Sequence, residues 1–322
     1  RMRPQNADGT VDYNVTMRED IVFSDGTPMT IDDLIFSLYV VSDPTYDGSA
    51  TFYSLPITGI NEYRASMVPL WTLIHEAGEE NAEFTAWTEA QQKQYWDAFY
   101  AAGEKFVLEI VDYCVGAGYV DAAGDDTTKL TEALAAWGYD PIDDPTPLNY
   151  FKVFIENFGY DLSDDGINYE SAGSAISDLI IAELGADAAA FTAGVNVGEA
   201  VPNIAGIVKT GDYSMTVHCD KFEASSIYQF ATTVAPLHYY GDPAMFDYDN
   251  NMFGFTKGDL SGVKAKTTVP MGAGPYKFIS YENGVVTFEA NANYWKGEPK
   301  IKYLLFQETA DGDKLSGVAS GT

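Results

Sequence analysis

The stretch that most constrains the fold is VPMGAGPYKFISYENGVVTFEANANYWKGEPKIKYLLF, residues 269–306. Pro270, Gly272, Gly274 and Pro275 make a tight, pre-shaped loop, because glycine tolerates positive φ and proline pins its own φ near the turn value. A strand leaves this loop at Tyr276, where Tyr276, Phe278 and Ser280 alternate with Lys277 and Ile279. Glu282-Asn283-Gly284 turns the chain, and Val286, Phe288 and Ala290 alternate with Val285, Thr287 and Glu289, which predicts a hairpin. Asn291 to Trp295 places two aromatics behind the strand end, Lys296-Gly297-Glu298-Pro299 breaks again, and Ile301 to Phe306 reads as a third strand, apolar enough for a buried position.

A second informative passage lies near the N-terminus. Val11, Tyr13, Val15 and Met17 alternate with Asp12, Asn14, Thr16 and Arg18 as a half-buried strand does. Glu19-Asp20 turns it, Ile21 to Phe23 reads as a short return strand, and Ser24-Asp25-Gly26-Thr27-Pro28 is a turn. Thr30 is placed to cap the helix that follows, with Asp33 three residues on as the capping-box acid and Asp32 favourable near the positive end of the helix dipole. Ile31, Leu34, Ile35 and Leu38 fall on one face, and Asp43-Pro44 ends the helix.

Together these passages resemble the family 5 extracellular solute-binding proteins of ABC importers, which include oligopeptide, dipeptide and nickel binders. The resemblance is carried by G-A-G-P-Y-K-F at 272–278, E-A-N-A-N-Y-W-K-G-E-P-K-I at 289–301 and Y-N-V-T-M-R-E-D-I-V-F-S-D-G-T-P-M-T-I-D-D-L-I-F-S-L at 13–38. It covers residues 13–56 and 204–308, resuming after Pro202 with the strand Tyr213, Met215, Val217, Cys219 against Ser214, Thr216, His218. Phe222 to Leu237 looks like the family helix leading to a P-x-H/K element, here Ala235-Pro236-Leu237-His238-Tyr239-Tyr240.

The implied fold is mixed α/β, a periplasmic-binding-protein type II-like lobe with the family's extra subdomain, carrying a large helical insertion and lacking the second lobe. The implied organisation is a small mixed-sheet subdomain from 1–62 and 203–224, an insertion at 63–202, part of the main lobe I subdomain at 225–308, and the start of a hinge at 309–322. The start one strand before the first passage and the stop at LSGVASGT imply a fragment.

The implied function is capture of peptides in an interlobe cleft and their delivery to ABC permease subunits in the membrane. Closure is differential: ligand makes contacts only in the closed state and raises its population. The implied protein is a periplasmic or lipid-anchored cell-surface monomer that needs no cofactor and is not an enzyme. The site residues expected from the resemblance are Phe52 and Tyr53, on the loop at 45–60, and Met271, Gly272 and Tyr276 near the interlobe edge. For Phe52 and Tyr53 two readings compete, a ligand wall and a plug in the local core. The same scaffold permits a nickel-chelate, oligosaccharide or signalling-peptide receptor, and a hydrolase acting through acidic residues of the insertion is a further alternative.

Composition narrows the partners. The chain of 322 residues has 48 acidic against 18 basic side chains, a formal net charge of −30, which repels nucleic acid and anionic lipid. It contains no run of eighteen apolar residues to span a bilayer, and RMRPQNADG is followed by no apolar core of a signal peptide. Cys114 and Cys219, 105 residues apart, read as two free buried thiols, with a disulfide as the alternative.

From Met67 to Val201 the spacing becomes helical, over Trp71–Glu76, Glu89–Ala102, Glu104–Val115, Leu148–Phe158 and Ala172–Leu184, with Gly103 as a possible kink and a break from Asp140 to Pro147. Motifs for chemistry fail here. His75-Glu76 lacks the second histidine of a zinc helix, since position 79 is Glu79. His218 and His238 are far from it in sequence, and no G-x-S-x-G occurs. Gly272-Ala273-Gly274 meets Lys277 where a dinucleotide loop needs glycine. The run from Asp161 to Glu170 imitates a calcium loop, but Ala172 stands where the closing acid belongs.

Overall fold

The computed structural model describes residues 6–230 and 232–309. The protein is mixed α/β, and the chain divides into two compact units, one formed by Arg1–Val68 with Asn196–Thr322 and the other by Pro69–Val195. Residues 310–322, most of the expected hinge, lie outside the described residues.

The discontinuous unit is built on strands far apart in sequence. β1 (Val11–Thr16) pairs antiparallel with a strand some 200 residues later, in the sheet order β1-β3-β2, where β2 is Ile207–Gly211 and β3 is Ser214–Cys219. The register sets Val11 opposite Cys219, Tyr13 opposite Val217 and Val15 opposite Met215. Period-two alternation on β3 buries Met215, Val217 and Cys219 and leaves Ser214, Thr216 and His218 half-exposed.

Helix α1 (Ile31–Ser42) packs its apolar face into the same core, where Ile31, Leu34, Ile35 and Leu38 join Ile207, Met215 and Val217. Each such side chain contributes about 1.5–3 kcal/mol. The capping box at its start is present as expected, Thr30 with Asp33, and the helix ends at Asp43. Tyr39 stacks on Phe253 with ring centroids 3.4 Å apart, and its hydroxyl accepts the Ile204 N–H at 2.9 Å.

A second three-stranded sheet has the order β6-β5-β4, with β4 Tyr276–Glu282, β5 Val285–Ala290 and β6 Tyr303–Gln307. Asn283 and Gly284, at φ 52° and 75°, supply the two left-handed residues that a two-residue hairpin turn needs. Thr30's helix and the Tyr276 hairpin thus belong to one unit.

Three sequence expectations change. The third strand is not buried: Tyr303, Leu305 and Phe306 are 48%, 65% and 61% exposed, because β6 has a neighbour on one edge only among the described residues. Ile21–Phe23 makes a single bridge, Val22 to Pro28, since proline has no N–H to extend a ladder. The helix expected over Phe222–Leu237 shrinks to Ser226–Gln229, because the backbone of 235–237 bonds to α1 instead: the Ala235 N–H donates to Ser37 Oγ at 2.8 Å and the Leu237 N–H to Asp33 Oδ1 at 2.9 Å.

The continuous unit is helical: α2 (Leu70–Ala77), α3 (Glu89–Gly116), α4 (Asp126–Trp137), α5 (Pro147–Phe158) and α6 (Ile176–Leu184). Its spine is α3, 28 residues capped by Thr88 and Gln91, which buries Tyr95, Phe99, Phe106, Val107, Ile110 and Cys114. Gly103 does not interrupt it; a Cβ there would stand 2.0 Å from Phe151 Cδ1, so the glycine admits the ring of α5. Helix α6 begins at Ile176, four residues later than its spacing suggests, after the Ser174 backbone N–H is taken by Glu109 at 2.7 Å. Both cysteines are free and buried, and burial pushes the Cys219 thiol up to about 12.

Candidate functional site

Two groups of expected site residues occupy different settings within the discontinuous unit. The first is the loop from Val269 to Tyr276. Its backbone is fixed from three directions. Tyr239 donates its hydroxyl to the Val269 carbonyl at 2.6 Å, while the Tyr240 hydroxyl accepts the Met271 N–H at 2.9 Å and faces the Met271 carbonyl at 3.4 Å. The Ser24 N–H donates to the Gly272 carbonyl at 3.0 Å. Asn291, itself buried, donates its carboxamide to the Gly274 carbonyl and its N–H to the Pro275 carbonyl, both at 2.8 Å. Tyr276 is half-buried at the start of β4, with its hydroxyl donating to the Ile301 carbonyl at 3.0 Å. Met271, Gly272 and Tyr276 are therefore brought together on one ordered edge.

That edge is joined to the first passage of the sequence. Asn293 Nδ2 donates to the Ser24 carbonyl at 3.1 Å, and Arg18 lies over the Trp295 ring, 4.5 Å from its centroid. His238 Nε2 pairs with Asp25 Oδ2 at 2.7 Å. Beneath them Asp33 accepts the Thr30 N–H at 2.8 Å and the Leu237 N–H at 2.9 Å, so one buried carboxylate holds both the start of α1 and the segment leading into Tyr239 and Tyr240. Burial raises the Asp33 carboxyl above its ordinary value, and its two N–H donors oppose that rise.

Phe52 and Tyr53 lie elsewhere in the unit. Phe52 is a member of the buried core cluster beside Leu55 and Ile57, whereas Tyr53 is half-buried under the Arg64 guanidinium, 3.6 Å from ring centroid to Cζ. Arg64 donates in turn to the Asp43 carbonyl at 2.6 Å.

Tyr239, Tyr240 and Asn291 were not anticipated as supports of the site. The adjacent aromatic pair after Pro236 and the asparagine directly after the hairpin are the signals that mark them, since both are polar groups next to a loop with many carbonyls to satisfy.

In the helical unit the acidic residues serve as acceptors within the fold. Glu170 takes Trp137 Nε1 at 2.8 Å and the Tyr139 hydroxyl at 2.7 Å, and Glu79 takes the Tyr100 hydroxyl at 2.7 Å. Asp161 accepts the Ser163 N–H at 2.9 Å in a local turn. His75 has Nε2 2.7 Å from the Tyr160 carbonyl and Nδ1 2.8 Å from the Tyr95 hydroxyl. A carbonyl only accepts, so Nε2 carries the proton. Recesses of about 700 and 580 Å³ in this unit include none of the expected site residues.

Comparison with known proteins finds partial similarities. Residues 162–316 match the family model described as bacterial extracellular solute-binding proteins, family 5 Middle. Over 143 residues the chain is 26% identical to the oligopeptide-binding protein AppA of Bacillus subtilis (strain 168), covering 41% of this chain and 24% of that protein. Among solved structures, lactococcal OppA complexed with an endogenous peptide in the closed conformation aligns at 13% identity and TM-score 0.43 over 96% of this chain and 32% of that one. NikZ from Campylobacter jejuni in complex with Ni(L-His) aligns at 10% identity and TM-score 0.36 over 99% of this chain and 32% of that one. The class that the family match defines is that of the bacterial extracellular solute-binding proteins. The part of the chain that carries it, residues 162–316, is similar to family 5. The chain spans about a quarter of the curated relative and about a third of these structures.

Proposed function

We propose that this chain is part of the ligand-capturing component of an ABC importer, taking peptides in a cleft between two lobes and presenting them to membrane permease subunits. The observation that carries the reading is the family 5 match over residues 162–316, in a chain whose curated relative is named for oligopeptide binding. The two separate three-stranded sheets support the assignment of 1–62 with 203–224 to a small subdomain and of 225–308 to the main subdomain of one lobe. The helical stretch at 63–202 is then an insertion, and 309–322 leads toward the second lobe.

In this reading Met271, Gly272 and Tyr276 form a binding edge, and Tyr53 offers a half-buried aromatic wall while Phe52 supports it from the core. The role is binding without chemical conversion or a cofactor, by a monomer outside the cytoplasmic membrane, periplasmic or lipid-anchored. No helix among the described residues is long and apolar enough to cross a membrane. The net charge of −30 sets nucleic acid aside as a partner.

Calorimetric titration of the full-length protein with peptide, nickel-chelate and oligosaccharide panels tests the reading. Saturable one-to-one binding of peptides is expected. Tight binding of another class with no peptide bound would replace it.

A further inference from the structure

The helical unit holds a recess of about 700 Å³ that peptide capture does not use, a volume in the range of sites for small organic ligands. It is lined by the chain from Glu79 to Phe84 and by the first three turns of α3. Its wall is built in advance. Gln92, buried on α3, donates to the Glu79 carbonyl at 2.9 Å and the Asn81 carbonyl at 2.8 Å, while its side-chain oxygen accepts Asn81 Nδ2 at 2.9 Å and Trp87 Nε1 at 3.1 Å. One glutamine, with both donors and both lone pairs spent, pins the loop against the helix.

The lining combines aromatic rings with negative charge. Glu79, Glu80, Glu89 and Asp97 share the recess with one ammonium, that of Lys93, which is committed to Asp97 at 2.5 Å. The N-terminus of α3 is closed by its own Thr88–Gln91 box, so the carboxylates set the sign of the field. Phe84 is an exposed wall, and Tyr100 lies with its ring centroid 6.4 Å from that of Trp96. The Tyr100 hydroxyl donates to Glu79 Oε2 at 2.7 Å, which holds an aromatic ring and a carboxylate side by side. Trp96 is 4% exposed, and its indole N–H has no hydrogen-bond partner among the described residues. An unpaired buried donor carries a desolvation cost that an acceptor from outside the chain removes. Carboxylates beside aromatic faces recognise an organic cation. A bare metal ion fits less well, since the described residues include no group of three histidine, cysteine or acidic side chains placed to hold one.

We propose that this recess binds a small organic ammonium ion bearing an oxygen acceptor, its cationic head against Phe84, Tyr100 and the Glu79 and Glu80 carboxylates and its oxygen on the Trp96 indole N–H. The net charge of −30 raises the local concentration of such cations. The recess is formed by residues between 79 and 100 alone, so the proposal holds whether or not the chain captures peptides.

The test titrates the full-length protein with acetylcholine and with neohexyl acetate, the uncharged isostere, while the Trp96 indole N–H resonance is followed by heteronuclear NMR. Acetylcholine is expected to saturate one site and to move that resonance, and neohexyl acetate to bind at least about fivefold more weakly. Phe84→Ala should weaken acetylcholine by about two- to fivefold, and Glu80→Gln by roughly twofold. Both residues are exposed, so both variants keep the wild-type melting temperature. Equal affinity for the two probes, wild-type affinity in either variant, or a complex in which the Trp96 resonance stays still would overturn the site. Absence of acetylcholine binding would overturn it as well.

Discussion

The two units of this chain are assembled on opposite plans. The helical unit is continuous, Pro69–Val195, and its spine α3 meets partners that are near in sequence, α4, α5 and α6. The mixed unit must bring Val11 opposite Cys219 before its first sheet is complete, and its hubs join equally distant residues, Asp33 to Leu237 and Asp43 to Gly258. Loop-closure entropy makes such contacts slow to form and dependent on one another. Cooperative polar hubs therefore matter most in the mixed unit, and close apolar packing matters most in the helical one.

The largest expected effect is at the hub. Asp33→Ala strands the Thr30 and Leu237 N–H groups in a buried setting and should cost about 3–4 kcal/mol, seen as a fall in denaturation midpoint with amide exchange rising across α1 and 235–240. Loss confined to the helix start would show that the carboxylate is a local cap and not a hub. Next is Gly103→Ala, where overpacking against Phe151 costs about 3 kcal/mol and improved helix propensity returns about 1. A net loss of about 2 kcal/mol, felt in α3 and α5, is expected; a gain would mean the helices part easily. Thr30→Ala removes the hydroxyl that accepts the Asp32 N–H at 3.3 Å and leaves the Thr30 N–H bond to Asp33 in place, and a loss of about 1 kcal/mol in the same denaturation experiment is expected.

The smallest effect is a pH dependence of the helical unit. Burial holds the His75 imidazole below its ordinary value, in the neutral form. Unfolded histidine takes up its proton near pH 6.5, so the unfolded chain binds protons first on acidification. Stability is fully present above about pH 6.5 and declines below it until the folded ring is itself protonated. Melting curves of α2 and α3 reporters at pH 7.5 and 5.5 should differ, and His75→Gln should remove part of that difference. An unchanged difference in the variant would assign it to other groups.

What could be read in the sequence follows the same division. Locally written elements were legible: the Thr30–Asp33 box, the Asn283-Gly284 hairpin and the strand Ser214–Cys219 all declare themselves within a few residues. Helix α4 was overlooked although Asp125 caps it and Gly138, at φ 109°, ends it, because it carries few buried residues, Leu130, Ala133 and Leu134. The Phe222–Leu237 helix failed for a different reason. Its amides were claimed by Asp33 and Ser37, nearly 200 residues away, and no local pattern records that. Met271, Gly272 and Tyr276 were expected from the resemblance alone, whereas the tyrosines and Asn291 that hold their loop are visible only once the loop's carbonyls have been followed to their partners.

The central claim is that this fold positions an edge for peptide capture. Titration calorimetry of the full-length protein with short neutral and cationic peptides measures it directly. The account predicts saturable one-to-one binding of peptides. Binding of a metal chelate or a sugar instead, with every peptide inert, would contradict it.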